Sequence, residues 1–99
     1  MSKVLEIVQF RVDPAREREY LAGHSQAMDA IAQAFPGLIR VNLVRYPDGR
    51  FADVALWESR ADAERAAQGC VHVPEFTRIE SYVTETLSME FVEVIDPDE

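Results

Sequence analysis

The sequence is poor in the residues that build covalent or metal cross-links. Its 99 residues include one cysteine and two histidines. Because Cys70 is alone, an intrachain disulfide is excluded and a reducing, cytoplasmic setting is expected. The positions of His24, Cys70 and His72 match none of the spacings typical of metal ligands, so we expect no metal site.

Long apolar runs, glycine-rich loops and positive charge are also scarce. No run approaches the ~20 apolar residues of a membrane span, and no secretory signal pattern is present, so no membrane partner is expected. Phosphate-binding glycine motifs and the Gly-x-Ser-x-Gly motif of esterases are absent, and we expect no cofactor. The net charge is −8, with three basic against twelve acidic side chains in residues 51–99. Such a domain repels phosphate backbones, which argues against a nucleic-acid partner.

A β-hairpin between two helices is the clearest local pattern in the chain. Apolar stretches at 38–46 and 51–57 predict its strands, and Pro47-Asp48-Gly49 predicts the turn between them. Pro36-Gly37 ends the preceding helix, because proline cannot continue it and glycine tolerates the left-handed exit. Ser59 is suited to cap the helix that follows.

The other elements complete an α+β order. They are predicted as a strand at 3–12, a helix at 15–35, a helix at 60–70, a short helical piece opened by Pro74, and a strand at 84–95. The order β-α-β-β-α-β predicts a ferredoxin-like fold, in which a four-stranded antiparallel sheet carries its helices on one face. A length of 99 residues and a hydrophobic fraction of 47% fit one globular domain over 1–99.

Side-chain periodicity predicts which residues share a face. One face of helix 15–35 carries Leu21, His24, Met28, Ile31 and Phe35. One face of strand 84–95 carries Leu87, Met89, Phe91 and Ile95. Strands one, two and four are apolar on both faces although helices cover only one, so we expect a homodimer whose sheets face each other.

Several local motifs resemble a known family. They are Val12-Asp13-Pro14-Ala15, Phe35-Pro36-Gly37, Asp48-Gly49 and Trp57-Glu58-Ser59 with Asp62-Ala63 behind it. In this order and spacing they resemble the antibiotic biosynthesis monooxygenase (ABM) domain of the dimeric α+β barrel superfamily, over nearly the whole chain. The resemblance implies a homodimer with a pocket between helices and sheet in each subunit. It also implies oxidation of aromatic polyketides or quinols by O₂ without metal or flavin in some members, haem degradation in others, and no assigned activity in many.

The chain departs from the haem-degrading branch of that family. That branch has a tryptophan in the second helix where this chain has Ala66, and an asparagine on the first strand where Val8 and Gln9 stand. His72 follows the second helix at a spacing that does not match. Two function classes therefore stay open, a cofactor-independent monooxygenase acting on an aromatic or quinoid small molecule, and a non-catalytic small-molecule-binding or stress-responsive dimer.

Five residues are candidates for the site. His24 is the candidate catalytic acid and base, because histidine is the side chain suited to exchange a proton with a phenol or peroxide near neutral pH; a core histidine bonded to a carbonyl or tyrosine is the alternative. Trp57 is either an aromatic wall for a flat substrate or a core anchor of the hairpin. Arg40, Asn42 and His72 are further candidates for substrate binding. The short side chains of Ala63, Ala66, Ala67 and Cys70 indicate either close helix packing or space for a ring-sized ligand.

Overall fold

Residues 2–97 are described by a computed structural model of the chain. The elements are β1 (Val4–Val12), α1 (Glu17–Ala34), β2 (Leu38–Arg45), β3 (Phe51–Trp57), α2 (Arg60–Gly69), α3 (Pro74–Glu80) and β4 (Val83–Glu93). Two 3₁₀ turns, Pro14–Arg16 and Cys70–His72, precede α1 and α3. The predicted β-α-β-β-α-β order is confirmed, with α3 as the short helix opened by Pro74.

The four strands form one antiparallel sheet in the order β2-β3-β1-β4. β1 lies between β3 and β4, and its partners across β3 are Val4 with Trp57 and Phe10 with Phe51. These four buried side chains point to the same face of the sheet and pack against buried residues of the helices. The ferredoxin-like α+β fold predicted from the sequence is therefore confirmed.

Helix starts follow from single side chains, as the sequence indicates. Oδ1 of Asp13 accepts the backbone N–H of Ala15 at 2.9 Å, and Pro14 begins the 3₁₀ turn before α1. Oγ of Ser59 accepts the N–H of Asp62 at 3.1 Å and caps α2. Each cap satisfies a backbone donor that would otherwise have no partner in the helix. No helix within residues 2–97 combines the length and hydropathy needed to cross a membrane.

The buried face of α1 is rotated relative to the prediction. Tyr20, Ala27 and Ile31 are buried, whereas Leu21 is 41% exposed, so the inward placement of Leu21 is wrong. Adjacent helical residues lie about 100° apart, and only one of Tyr20 and Leu21 can face the sheet. Tyr20 takes that position because its ring packs against Phe10 and Phe51 at centroid distances of 5.6 and 6.2 Å.

Close packing of α1 against α3 depends on Gly23. A Cβ atom added at this position would lie 2.7 Å from Cγ2 of Ile79, which is too close for any two carbon atoms. Ile79 is itself 2% exposed in the core. Glycine at this position therefore allows α3 to approach α1 closely.

The shared face predicted for β4 is interrupted by a register shift. Gln9 pairs with Ser88 and the next residue, Phe10, pairs with Thr86, which leaves Leu87 as an extra residue in β4. An extra residue breaks the two-residue alternation of a strand. Met89 and Phe91 still share one face, since they pair with Val8 and Glu6, whereas Leu87 lies at the register shift and Ile95 lies beyond the end of β4. In the single chain Leu87, Met89 and Ile95 are 38%, 46% and 78% exposed.

The face of the sheet turned away from the helices is apolar and open in the single chain. Leu5 and Ile7 of β1 pair with Leu56 and Val54 of β3 on this face, and all four are half-buried. Val92 of β4 is 39% exposed beside them. This open sheet face is the surface through which two copies of the chain are predicted to pair.

Candidate functional site

A cavity of about 120 Å³ lies between the sheet and the helices. Its lining is mostly apolar, and includes Val8, Phe10, Met28, Trp57 and Phe76. The volume is comparable to that of apolar cavities which hold one benzene ring, about 150 Å³. The cavity thus has room for a single aromatic ring.

The short side chains of α2 border this cavity. Ala66, Ala67 and Cys70 line it, while Ala63 is fully buried in the core. The sequence left open whether these short side chains mark close helix packing or space for a ring-sized ligand. Ala66, Ala67 and Cys70 border such a space, whereas Ala63 is closely packed. Larger residues at the same positions would fill the cavity.

A histidine–carboxylate pair stands at one side of the cavity. Nε2 of His24 lies 2.7 Å from Oδ1 of Asp53, and the two side chains are only 12% and 19% exposed. Asp53 shares the helix-facing side of β3 with Phe51 and Ala55, and it lines the cavity. His24 lies behind it, and the ring of Tyr20 packs on the imidazole at a centroid distance of 5.9 Å. Such a pair can take up a proton from a group bound in the cavity.

A second carboxylate is held by the indole of Trp57. Nε1 of Trp57 donates to Oε1 of Glu6 at 3.0 Å, and Trp57 is 2% exposed. Burial raises the pKa of Glu6 above its usual value; the Trp57 hydrogen bond opposes this rise and the negative charge of Asp53 adds to it. Part of the Glu6 population therefore stays protonated at a higher pH than an exposed glutamate would.

A third carboxyl group, that of Glu80, lies at the end of α3. The residue as a whole is exposed, but its side chain lines the cavity, and burial together with the charge of Asp53 raises its pKa. Burial likewise raises the pKa of the Cys70 thiol, with the charges of Glu80 and Glu6 adding to the effect. A thiol with a raised pKa is a poor nucleophile at neutral pH. Within residues 2–97, no three His, Cys, Asp or Glu side chains are placed to hold a metal ion.

The structure brings only some of the predicted site residues together. Trp57 lines the cavity, and His24 reaches it through Asp53. Arg40 borders a separate surface groove between α1 and β2, which His24 also borders from its outer side. Asn42 is exposed on β2, opposite Val54 of the open sheet face, and His72 is exposed in the 3₁₀ turn before α3.

Sequence reasoning missed the three carboxyl groups. Asp53 occupies an odd-numbered position between Phe51 and Ala55, so strand alternation alone places its charge among buried residues. Glu6 likewise shares its face of β1 with Val4 and other helix-facing residues. A charged residue on the inward side of an otherwise apolar strand is the signal that could have identified both. Glu80 carried no such signal, since it lies at the end of a short helix.

The sheet order and the placement of the helices on one face together define a class of protein. This is the fold of solved structures that are named as candidate antibiotic biosynthesis monooxygenases. No protein-family model and no curated protein sequence matches the chain.

Three solved structures illustrate the likeness. A candidate antibiotic biosynthesis monooxygenase of Bordetella bronchiseptica is 20% identical, with a TM-score of 0.80 over 96% of this chain and 99% of that one. A second, of Nitrosomonas europaea, is 14% identical with a TM-score of 0.80 over 99% and 95%. SnoaB of Streptomyces nogalater, a cofactor-independent oxygenase, is 19% identical with a TM-score of 0.67 over 100% and 97%. At these identities the likeness establishes the shared fold.

Proposed function

We propose that the chain is a cofactor-independent monooxygenase that oxidises an aromatic or quinoid small molecule in the cavity. The observation that carries this proposal is the His24–Asp53 pair, 2.7 Å apart, at the side of a ring-sized apolar cavity. The occurrence of the same fold in SnoaB, a cofactor-independent oxygenase, supports it. Trp57 would form the flat wall against which the ring packs.

A phenol illustrates how the pair would act. The hydroxyl proton passes to the Asp53–His24 pair, and the phenolate gives one electron to O₂. The two radicals combine to form a bond between a ring carbon and oxygen, and the pair returns the proton to the outer oxygen. Cleavage of the O–O bond with loss of the ring hydrogen releases water and leaves a second carbonyl, so phenol and O₂ yield quinone and water. General-base assistance of this kind contributes about 10²–10⁴-fold.

The size of the cavity also favours the second candidate, a non-catalytic protein that binds a small ring. Sites for drug-sized ligands usually enclose about 300–1,000 Å³, and this cavity encloses about 120 Å³. A binding protein needs no proton acceptor in its cavity, whereas the oxygenase does. Oxygen uptake that is lost when the acceptor is substituted therefore separates the two candidates.

Oxygen uptake with a panel of phenols and quinols tests the proposal. We expect consumption of O₂ above the buffer rate, and a loss of at least 100-fold in Asp53→Asn and in His24→Gln. Glu64→Gln, an exposed carboxyl on α2, is the matched control and should leave the rate unchanged. Absence of uptake across the panel would refute the oxygenase in favour of the binding protein. Equal rates of uptake in Asp53→Asn and the parent protein would refute the role of the His24–Asp53 pair as proton acceptor.

We further propose that the functional unit is a homodimer formed through the open sheet face. Support comes from the four half-buried apolar side chains Leu5, Ile7, Val54 and Leu56, which the helices of the same chain do not cover. Monomeric proteins rarely expose continuous apolar patches larger than a few hundred Å². Pairing of two such faces removes both from water.

A further inference from the structure

The charged side chains that line the cavity are all acidic. Its lining contains the carboxyl groups of Glu6, Asp53 and Glu80, and no lysine or arginine of the described chain. Thr86 contributes the one alcohol hydroxyl among the described residues of the lining. A group bound in this cavity therefore meets hydrogen-bond acceptors on several sides.

Two of these carboxylates each keep one oxygen without a partner. Trp57 occupies Oε1 of Glu6, and His24 occupies Oδ1 of Asp53. Among residues 2–97 no hydrogen bond reaches Oε2 of Glu6 or Oδ2 of Asp53. Neither oxygen is a fully buried atom, so both are open to the space of the cavity. Because hydrogen bonds to charged groups are among the stronger ones, a ligand that donates to both oxygens gains the most.

From this arrangement we infer that the cavity takes an aromatic ring bearing at least two hydrogen-bond donors, at opposite ends, and no anionic group. The inference rests on the proposed function and names the substrate class of the same site. Glu6 faces Ala55 across the strand pair and Asp53 faces Val8, so the two carboxylates are diagonal neighbours on one face of the sheet. The backbone positions of diagonal neighbours lie about 7–8 Å apart, so the two side chains are close enough for one para-substituted ring to reach both with a donor at each end.

Exclusion of anions follows from the same side chains. A carboxylate on the ring would be repelled by up to three like charges in a medium of low dielectric constant. The raised pKa values of Glu6 and Glu80 show that burial and the charge of Asp53 already disfavour negative charge here. A further anion adds to that cost, whereas a hydroxyl or an ammonium group relieves it.

The single tryptophan provides a direct readout of binding. The sequence contains one tryptophan, so the indole N–H of Trp57 gives one resolved NMR signal, and its hydrogen bond to Glu6 makes that signal sensitive to a donor arriving at the carboxylate. Titration without O₂ prevents turnover. Four para-substituted probes differ in one group each, namely hydroquinone, 4-(aminomethyl)phenol, 4-methoxyphenol and 4-hydroxybenzoate.

We expect hydroquinone to bind at least tenfold more tightly than 4-hydroxybenzoate, and more tightly than 4-methoxyphenol, which lacks the second donor. The preference for hydroquinone over 4-hydroxybenzoate, taken as the ratio of their Kd values, should fall at least threefold in Asp53→Asn and in Glu6→Gln. Glu80→Gln, at an exposed position, serves the same purpose if Glu6→Gln does not fold. Glu64→Gln is the control and should keep the full preference. The stronger binder of hydroquinone and 4-(aminomethyl)phenol identifies hydroxyl or ammonium as the better second donor, and either result supports the inference.

Equal binding of 4-hydroxybenzoate and hydroquinone would overturn the inference, as would equal binding of 4-methoxyphenol. The outcome is separable from that of the proposed function. If hydroquinone binds as expected but consumes no O₂ when air is admitted, the oxygenase fails and the ligand class stands. If an aromatic acid is oxidised, the ligand class fails and the oxygenase stands.

Discussion

Substitution Ala66→Leu tests the cavity most directly, because it should stabilise the fold while removing the site. Ala66 is 4% exposed and lines the cavity of about 120 Å³. Leucine adds three carbon atoms, worth about 0.8 kcal/mol each when buried, and immobilising its side chain costs about 0.5–1 kcal/mol. The net gain is about 1.5–2 kcal/mol, within the limit of about 3 kcal/mol set by roughly 24 cal/mol per Å³ of cavity.

Two measurements on the same variant check this reasoning. Thermal unfolding should shift upward by roughly 6–15 °C, since 1 kcal/mol corresponds to about 4–8 °C in a domain of this size. Binding of hydroquinone, followed by the indole signal of Trp57, should be lost. Ala61→Leu is the matched control, because Ala61 is exposed on the same helix and alanine and leucine have similar helix propensities. If Ala66→Leu is less stable than the parent protein, or still binds hydroquinone, then the empty space in which the ligand binds does not lie beside Ala66.

Three other predictions concern pH, assembly and the hairpin. Burial raises the pKa of Glu6. The stability that protonated Glu6 contributes to the folded protein is therefore fully present below about pH 4 and is lost as pH rises through the raised pKa. The stability of Glu6→Gln relative to the parent should therefore increase from acid to neutral pH in urea unfolding, and a constant difference would contradict the burial of this carboxyl. Leu56→Glu on the open sheet face should sediment as a monomer where the parent sediments as a dimer; a parent protein that stays monomeric when concentrated would rule out the homodimer. Gly49→Ala should lose about 1 kcal/mol on denaturant unfolding because φ at Gly49 is +91°, and Gly49→Asn should lose less.

Local chemistry explains why the fold could be predicted from the sequence. The turn Pro47-Asp48-Gly49 and the caps Asp13 and Ser59 act within a few residues of themselves, so their effect is readable without knowing the fold. The bounds predicted for the second hairpin strand agree with β3 (Phe51–Trp57). Strong apolar runs bounded by such signals leave little choice of element.

The site was less predictable because it depends on contacts between distant parts of the chain. His24 lies 29 residues from Asp53, and Trp57 lies 51 residues from Glu6. Periodicity placed His24 on the inward face of α1 but did not identify its partner. The rotation of α1 that buries Tyr20 instead of Leu21 likewise depends on two phenylalanines in different strands. Such pairings become visible only when the sheet register is known.

The missing side chain at Gly23 lets α3, which ends at Glu80, pack closely against α1. An alanine there would force Ile79, or the whole of α3, to move away from α1. Since Glu80 is the last residue of α3, movement of α3 would shift the Glu80 carboxyl group relative to those of Glu6 and Asp53, although neither Gly23 nor Ile79 lines the cavity. The shape of the cavity at its Glu80 side therefore depends on a contact between two helices at residues that do not line it.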